Sequence, residues 1–332
     1  MATTRIALDA MGGDLAPDST VRGALLAVAA HNPRRIAAER ILLVGDQELL
    51  RAKLDELGGD PGFAIQHASQ VIGMAESATA LRSKPDSSIL VCVGAVKRGA
   101  AGAMVSMGNT GAVVGAATIG LGTLAGVRRP AIAVTLSLTG KPVTLLDMGA
   151  NKEAKPQDLV QFATMASVYM RDCMGVPQPT VGLLNIGGEA SKGPDLLKET
   201  HQLLTDAKGR LNFIGNVEGN SIFESAADVV VTDGFTGNVA LKLMEGLSGF
   251  MLKLVMGELK AHKVEWSAQA LGSVKKSIDY AEYGGALLLG VNGVVIKGHG
   301  RSDATAVSNA LFVAARALDA EVNTHIIAGL ES

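Results

Sequence analysis

Short apolar runs recur along the chain, and most of them end in a turn rich in glycine and small polar residues. The runs that predict strands lie at residues 5–8, 41–44, 103–106, 143–146, 181–184, 213–214, 229–231 and 294–296. Their apolar residues are mostly continuous rather than alternating, which is typical of strands buried on both faces. Because helical patterns separate the strands, the sequence predicts an α/β fold with a mostly parallel sheet and helices on both faces.

Helical periodicity follows several of these runs and is clearest in the helix that Pro156 opens. Its core face is predicted to contain Leu159, Phe162, Ala163, Ala166, Tyr169 and Met170. Other helices are predicted at 19–30, 47–57, 112–121 and 303–317, the last capped by Ser302. A long helical pattern follows Asn238. A chain of 332 residues can form one large domain or two lobes, and we predict one α/β domain over 1–332 with a helical subregion at 239–283.

One segment without charge, residues 99–127, raises the alternative of a transmembrane helix. Gly111 and Gly115 have the spacing of a helix-packing motif found in membranes. However, the segment contains eight glycines, and its polar residues fall together in a turn-like stretch near Asn109. The sequence therefore predicts a strand, a turn and a small-residue helix here instead of a membrane span.

Composition excludes several classes of protein. Lys and Arg number 30 against 32 Asp and Glu, and aromatic residues are 3%, so no nucleic-acid partner is expected. Cys92 and Cys173 have neither CxxC spacing nor a neighbouring histidine, which favours ordinary reduced thiols. The first strand begins at Arg5, which leaves no room for a signal peptide. We expect a cytoplasmic protein.

Polar glycine turns follow the predicted strands, at the edge where open parallel sheets bind their ligands. Backbone N–H groups at such turns and helix N-termini bind anions. Helix capping explains any single turn equally well, but so many at one edge favour a ligand that carries phosphate. The sequence has neither GxxxxGK[ST] nor a complete GxGxxG fingerprint, which argues against a P-loop or a standard dinucleotide site.

Two basic side chains are candidates for chemistry. Lys192 follows a strand and lies in a glycine-flanked stretch, although an ordinary surface lysine is the alternative. His299 is flanked by two glycines and is a candidate acid/base or phosphate donor, or else only a cap. Asp9 and Asp14 could hold Mg²⁺ but fit turns equally well, and no His/Cys/carboxylate cluster has ligand spacing. No metal and no cofactor are predicted.

Seven motifs carry a resemblance to a known family. They are 9–17 (DAMGGDLAP), 106–112 (SMGNTGA), 146–151 (LDMGAN), 187–193 (GGEASKG), 215–219 (GNVEG), 232–238 (TDGFTGN) and 298–302 (GHGRS). In this order they resemble the phosphate acyltransferase family of bacterial phospholipid synthesis. The resemblance implies a reaction of acyl-[acyl carrier protein] with orthophosphate that gives acyl phosphate and free carrier protein. It also implies an isopropylmalate-dehydrogenase-like fold, a homodimer and a membrane glycerol-3-phosphate acyltransferase that receives the product.

Direct attack of phosphate on the thioester is the mechanism that suits this chain, because phosphate is itself a competent nucleophile and no Ser-His-Asp or Cys-His set is visible. Lys192 and Asn238 are predicted to contact phosphate or the oxyanion, and His299 is a candidate for proton transfer to the thiolate. The remaining predicted phosphate- and substrate-binding residues are Asp9, Gly12, Gly13, Asn109, Thr110, Asn151, Asp233, Gly234, Thr236 and Gly237.

Partners are expected on the surface. In the helix after Asn238 the first half is predicted to form a core or dimer interface, and the Met/Leu-rich second half to lie on a membrane surface. An acidic carrier protein needs a basic docking patch, with candidates Arg82, Lys84, Lys97, Arg98, Arg128 and Arg129. The rival functions are an NAD- and metal-dependent hydroxy-acid dehydrogenase of the same fold and a non-catalytic membrane scaffold.

Overall fold

The structure is a computed structural model that describes residues 4–138, 140–262 and 284–331. Its strands are β1 Ile6–Asp9, β2 Ile41–Gly45, β3 Ala64–His67, β4 Ala103–Ser106, β5 Ala131–Leu138, β6 Lys141–Leu146, β7 Thr180–Asn185, β8 Asn212–Glu218, β9 Val229–Val231, β10 Ala286–Leu289 and β11 Val294–Lys297. Its α-helices are α1 Asp18–Val28, α2 Gln47–Glu56, α3 Ser88–Lys97, α4 Thr110–Leu121, α5 Pro156–Asp172, α6 Asp195–Asp206, α7 Gly234–Ala261, α8 Ala304–Asp319 and α9 Val322–Glu331. Short 3₁₀ turns lie at Ala38–Arg40 and Ala78–Arg82.

The chain forms two compact units, and each is described by itself. Unit 1 comprises Met1–Pro130 and Tyr283–Glu331, and unit 2 comprises Ala131–Glu282. Helix α7 occupies most of the predicted helical subregion, whose last residues, 263–283, lie outside the described part of the chain. That residues 1–332 act as one domain stays a prediction.

Unit 1 is built on strands in the order β3-β2-β1-β4-β11-β10. All neighbouring pairs are parallel except β10 with β11, and the register places Asp9 beside Ser106. Helices α3 and α8 both pack against β1 and β4, but α3 packs with α4 whereas α8 packs with α1. These two helix pairs cover opposite faces of β1 and β4, so both strands are fully buried, as their continuous apolar runs predict.

Unit 2 is built on strands in the order β5-β6-β9-β7-β8. β5 and β6 form an antiparallel pair, and β6, β9, β7 and β8 run parallel. Helix α5 packs against β6, β9 and β7, and α6 packs against α5 and β8. All six residues of the predicted apolar face of α5 are buried, which confirms the helical period read from the sequence. Burying a side chain as large as Phe162 stabilises the fold by roughly 1.5–3 kcal/mol.

The predicted strands are all present, and the uncharged segment 99–127 contains the strand β4 and the 12-residue helix α4 rather than one long helix. Cys92 and Cys173 are both buried free thiols. None of the helices in the described ranges combines the length and the apolar character that crossing a bilayer needs.

One predicted cap is wrong. Ser302 was expected to cap the helix at 303–317, but the N-cap of α8 is Asp303, whose Oδ1 accepts from the Ala306 N–H at 2.9 Å. The Ser302 side chain is instead buried. An ionised aspartate accepts more strongly than a serine hydroxyl, and both residue types are common caps, so adjacent positions cannot be ranked by type alone.

Candidate active site

In each unit the carboxyl ends of the parallel strands lie at one edge, and the polar glycine turns follow them there. In unit 1 these are the loops after β1, β4 and β11; in unit 2 they follow β6, β7 and β9. Open α/β sheets bind their ligands at this edge. The predicted site residues therefore fall into two groups, one at the edge of each unit.

Asp9 is the last residue of β1, and its side chain is fully buried. The Ser106 hydroxyl donates to its Oδ2 at 2.6 Å and accepts from the Gly108 N–H at 3.0 Å. Burial raises the pKa of Asp9, and the hydrogen bond from Ser106 offsets this only in part. Asp9 is therefore not exposed to a ligand; it joins the loop after β1 to the loop after β4.

Gly12 and Gly13 form the backbone of the first loop. A Cβ on Gly12 would collide with the Asp9 carboxylate, and Gly13 has a φ of +106°. The next amide, that of Asp14, donates to the Gly300 carbonyl at 2.7 Å, so this loop lies against the loop after β11. Glycine is needed here because any side chain would separate these loops.

His299 lies in the loop after β11 and is half-buried. Its Nδ1 accepts from the Arg301 N–H at 3.2 Å. The structure places His299 in unit 1, with Asp9, Gly12 and Gly13.

Asn109 and Thr110 begin helix α4. The Asn109 Oδ1 accepts from the Ala112 N–H at 3.0 Å, and its Nδ2 donates to the carbonyls of Met74 and Glu76, both at 2.9 Å. The carboxamide thus caps α4 and holds the loop between β3 and α3. Thr110 is exposed at the first helical position.

Unit 2 contains a second buried carboxylate, Asp147, directly after β6. Its Oδ1 accepts from the N–H groups of Ile132, Gly149 and Ala150 at 2.9, 3.1 and 2.9 Å. Its Oδ2 accepts from both the N–H and the Nδ2 of Asn151 at 2.8 Å. Burial raises the pKa of Asp147, while these donors favour its ionised form. The carboxylate organises the whole loop 147–151.

Helix α7 begins directly against this loop, through Gly234 and Gly237. A Cβ on Gly234 would collide with the Asn151 carbonyl, and one on Gly237 would collide with the Asp147 carbonyl. The predicted glycines are thus explained by a close approach between two backbones. This approach brings the first turn of α7 and the loop after β6 together.

Asp233 and Thr236 form the cap of α7. The Asp233 Oδ1 accepts from the N–H groups of Phe235 and Thr236 at 3.0 and 2.9 Å, and its Oδ2 accepts from the Thr236 hydroxyl at 2.6 Å. The Asp233 carboxylate therefore occupies two amides that a phosphate would otherwise use.

Asn238 is exposed in the first turn of α7, and its side chain rests on Gly149. Gly149 has a φ of +121°, and a Cβ there would lie 3.1 Å from both the Cβ and the Oδ1 of Asn238. The Asn238 carboxamide is therefore set by the shape of the loop that Asp147 organises.

Lys192 lies in the loop after β7 with its side chain 48% exposed. Its Nζ is 4.0 Å from the Glu189 Oε1, and an exposed pair of this length contributes little. Two side-chain amides hold the backbone of this loop. The Asn185 Nδ2 donates to the Lys192 carbonyl at 3.1 Å, and the Asn216 Nδ2 donates to the Glu189 carbonyl at 2.8 Å. Lys192 thus combines a fixed backbone with a side chain free to reach an anion.

The structure brings together some predicted residues. Seven of them lie at the strand ends of unit 2, namely Lys192, Asn151, Asp233, Gly234, Thr236, Gly237 and Asn238.

Sequence reasoning missed the structural importance of Asp147 and of Ser106. The signal was available, since Asp9 and Asp147 each come at the end of a continuous apolar strand and before glycine. In the described ranges no three His, Cys, Asp or Glu side chains lie close enough together to hold a metal ion.

Comparison with known proteins gives consistent matches. Residues 4–325 match the family model described as fatty acid synthesis protein. A phosphate acyltransferase of Heliobacterium modesticaldum is 48% identical over 318 residues, which cover 93% of this chain and 92% of that protein. A phosphate acyltransferase of Elusimicrobium minutum is 44% identical over 334 residues, covering 97% and 96%.

Solved structures share the fold at much lower identity. A phosphotransacetylase from Streptococcus pyogenes aligns with a TM-score of 0.64 at 17% identity, covering 95% of this chain and 93% of its own. A putative 4-hydroxythreonine-4-phosphate dehydrogenase from Salmonella typhimurium aligns with a TM-score of 0.52 at 12% identity, covering 95% and 99%. The predicted α/β fold, shared with dehydrogenases and phosphotransacetylases, is confirmed.

Proposed function

The chain belongs to the phosphate acyltransferase family, and from that premise we propose that it transfers the acyl group of an acyl-[acyl carrier protein] to orthophosphate. The products are acyl phosphate and the free carrier protein, in the synthesis of phospholipids. The observation that carries the proposal is the edge of unit 2, where an exposed lysine and an exposed carboxamide follow neighbouring parallel strands. These are groups that bind phosphate and stabilise an oxyanion.

The reaction proceeds by direct attack. A phosphate oxygen forms a bond to the thioester carbonyl carbon, and the carbonyl π electrons move to oxygen to give a tetrahedral oxyanion. This intermediate collapses, the C–S bond breaks, and the carrier's thiolate leaves and takes up a proton. The protein therefore needs to orient the two substrates and stabilise negative charge, and it needs no nucleophile of its own.

Lys192 and Asn238 have different parts in this scheme. The Lys192 ammonium offsets the charge that phosphate brings, since its pairing with Glu189 is too long to hold it. The Asn238 amide donates to the phosphate or to the oxyanion. We propose that His299 supplies the proton to the leaving thiolate.

A thiol-release assay tests the function. The protein is incubated with acyl carrier protein bearing an acyl group, with and without orthophosphate, and free carrier thiol and hydroxylamine-reactive acyl phosphate are measured. We expect both products in equal amounts and only when phosphate is present. Thiol release that does not depend on phosphate would reject the proposal, and reduction of NAD by a hydroxy acid would favour the dehydrogenase alternative.

Helix α7 supports the proposal that the protein acts as a homodimer. Of its 28 residues only Gly234, Gly237 and Leu241 are buried within the chain. Large apolar side chains remain exposed along one face of its first half, including Leu243 and Leu247. A second copy of the same face would bury them. Changing Leu247 to Glu should convert a dimer into a monomer in analytical ultracentrifugation. Thr324→Glu, at an exposed position of α9, should leave the dimer intact.

The end of α7 supports contact with a membrane surface, where acyl phosphate would pass to a membrane glycerol-3-phosphate acyltransferase. Leu254, Val255 and Met256 are all at least 41% exposed, and Lys253 and Lys260 are exposed nearby. Apolar residues beside lysines are typical of helices that lie on anionic lipid. Val255→Glu should lower flotation with anionic liposomes relative to Thr324→Glu, and unchanged flotation would count against membrane contact. On this proposal the protein is cytoplasmic and peripheral on the inner face of the membrane.

The acidic carrier protein would dock on unit 1. Arg82, Lys97 and Arg98 are exposed around the helices α3 and α4, whereas Lys84 donates to Glu76 at 2.6 Å and is less available. Complementary charge of this kind speeds association and orients the partner.

A further inference from the structure

The loop 147–151 of unit 2 is organised by one buried carboxyl group. Asp147 accepts from the N–H groups of Gly149, Ala150 and Asn151. Three consecutive amides directed at one carboxylate fix the path of the loop, because each would be unpaired if the loop took another path.

The first turn of α7 fits closely onto that path. Gly237 leaves no space between the helix backbone and the Asp147 carbonyl, and Gly149 lies against the side chain of Asn238. A change in the path of the loop would therefore move the Asn238 side chain directly, because no flexible segment lies between the two.

Unit 1 contains a similar sequence spacing. Gly-x-Thr-Gly follows β4 at Gly108 as it follows β9 at Gly234, and a buried aspartate lies at the end of the strand that pairs with each, Asp9 in unit 1 and Asp147 in unit 2. The helix caps differ, since α4 is capped at Asn109 inside the spacing and α7 at Asp233 before it. The residue after the second glycine is Asn238 in unit 2 but Ala112 in unit 1. Only unit 2 therefore has a carboxamide at the position after the second glycine, where the loop 147–151 can orient it.

We propose that Asp147 is a positioning residue for the acyl transfer, which orients the Asn238 carboxamide through Gly149. This inference rests on the proposed function, since Asn238 is the group that contacts phosphate or the oxyanion there. Asp147 itself is buried and does not touch the substrates.

The expected effect is mainly on turnover. Replacing Asp147 with Asn keeps its size but directs an NH₂ group at amides that also donate, so the loop changes its path and Asn238 moves. Loss of a single oxyanion donor typically lowers kcat by about 10²–10³-fold. We expect Asp147→Asn to lower kcat by about 10²-fold, with a much smaller change in the KM for the acyl carrier.

A double-mutant cycle separates positioning from a general loss of structure. Thiol release is measured for wild type, Asp147→Asn, Asn238→Ala and the double variant, each at saturating phosphate. If Asp147 acts through Asn238, the double variant is within a few-fold of Asn238→Ala alone. Independent effects would multiply to about 10⁴-fold, and that result would overturn the proposal.

A second variant covers the case in which Asp147→Asn does not fold. Gly149→Ala leaves the Asp147 carboxyl group in place, but it presses a methyl group against Asn238 and strains a residue whose φ is +121°. It should lower kcat in the wild-type background and have little effect in the Asn238→Ala background. An equal loss in both backgrounds would overturn the proposal as well.

A matched control is Asp228→Asn. Asp228 is a half-buried carboxylate of unit 2, and it accepts from the Thr180 N–H at 2.8 Å and from the Thr180 hydroxyl at 2.7 Å, at the amino ends of β7 and β9. This change should lower the melting temperature and leave kcat within about two-fold, since it lies at the opposite ends of these strands from Lys192 and Asn238. If wild type shows no phosphate-dependent release, the proposed function fails; if wild type is active and the cycle is additive, only the positioning role fails.

Discussion

At the scale of single residues, the two edges are organised by aspartates that are buried and by a lysine and an asparagine that are exposed. Asp9 and Asp147 are fully buried, yet each directs backbone amides or a hydroxyl into a fixed loop. Lys192 extends from the loop after β7, and Asn238 from the start of α7. Buried carboxyl groups shape the loops, and the exposed groups are the ones we propose for the chemistry.

Lys192→Ala should lower kcat/KM for phosphate by about 10²-fold or more, because it removes the cation that offsets the charge on the attacking phosphate. The measurement is phosphate-dependent thiol release over a range of phosphate concentrations. Lys198→Ala is a suitable control, since Lys198 is an exposed lysine of unit 2 that lies 3.5 Å from Asp195 on α6. Equal activity of the two variants would remove Lys192 from the site.

The stability of the protein should depend on pH through Asp9. Burial raises the pKa of this carboxyl in the folded state, so above about pH 4 the unfolded chain releases the proton while the folded chain keeps it. The contribution of Asp9 therefore falls as pH rises from that value to the folded pKa, by at most about 1.4 kcal/mol per pH unit.

Asp9→Asn, which cannot ionise, lacks this dependence. Urea unfolding of wild type and variant between pH 4 and 7 should show the variant gaining stability relative to wild type as pH rises. A difference that changes in the opposite direction would mean that Asp9 is stabilised in its charged form.

Residue type alone could not separate caps from ligands. Asn109, Asp233 and Thr236 were predicted to bind substrate, and the structure uses their side chains to cap α4 and α7. The same oxygens and amides serve both purposes, and only the geometry of the helix start distinguishes them. Whether they also touch a substrate stays a prediction, as do the roles of Lys192 and Asn238.

At the scale of elements, helix α7 combines a tightly packed start with an exposed length. Its first turn approaches the backbone of the loop after β6 without intervening side chains, and the rest of the helix is largely exposed within the chain. Replacing a glycine of α7 is therefore expected to change the stability of the fold in opposite directions, depending on whether the glycine lies in the packed first turn or in the exposed part of the helix.

Gly237→Ala should destabilise the fold by roughly 1–3 kcal/mol, because the added methyl group collides with the Asp147 carbonyl. Gly249→Ala should instead stabilise it by about 0.5–1 kcal/mol, because nothing lies near that position and alanine favours a helix. Unfolding free energies from urea titrations provide the comparison. Equal effects in the two variants would mean that the close approach at Gly237 is wrong.

The elements themselves were largely predictable. Continuous apolar runs located β1, β2, β4 and β11, and the 3.6-residue period located the buried face of α5. The strands β3, β5 and β10 were not predicted. The residues of β3 are half-buried or exposed and mix polar with apolar types. The order of the strands could not be predicted from the sequence, because parallel pairing depends on long-range packing that no local pattern encodes.

At the scale of the whole molecule, function came from the order of the motifs rather than from any one of them. Capping or close packing explains individual glycine turns, as Gly234 and Asp233 illustrate. Seven such turns in one order matched a family, and the relatives at 44–48% identity over nearly the full chain agree with that assignment. The division into two units adds that the proposed chemistry of Lys192 and Asn238 lies in one of them.

Direct attack of phosphate on the thioester can be distinguished from an acyl-enzyme route in a single-turnover experiment. Enzyme in excess is mixed with acylated carrier protein in the absence of phosphate, and phosphate is added after a delay. We expect no thiol release and no acylated enzyme by mass spectrometry during the delay, followed by one thiol for each acyl phosphate formed. A burst of thiol equal to the bound carrier before phosphate is added, with the acyl group on the protein, would contradict it.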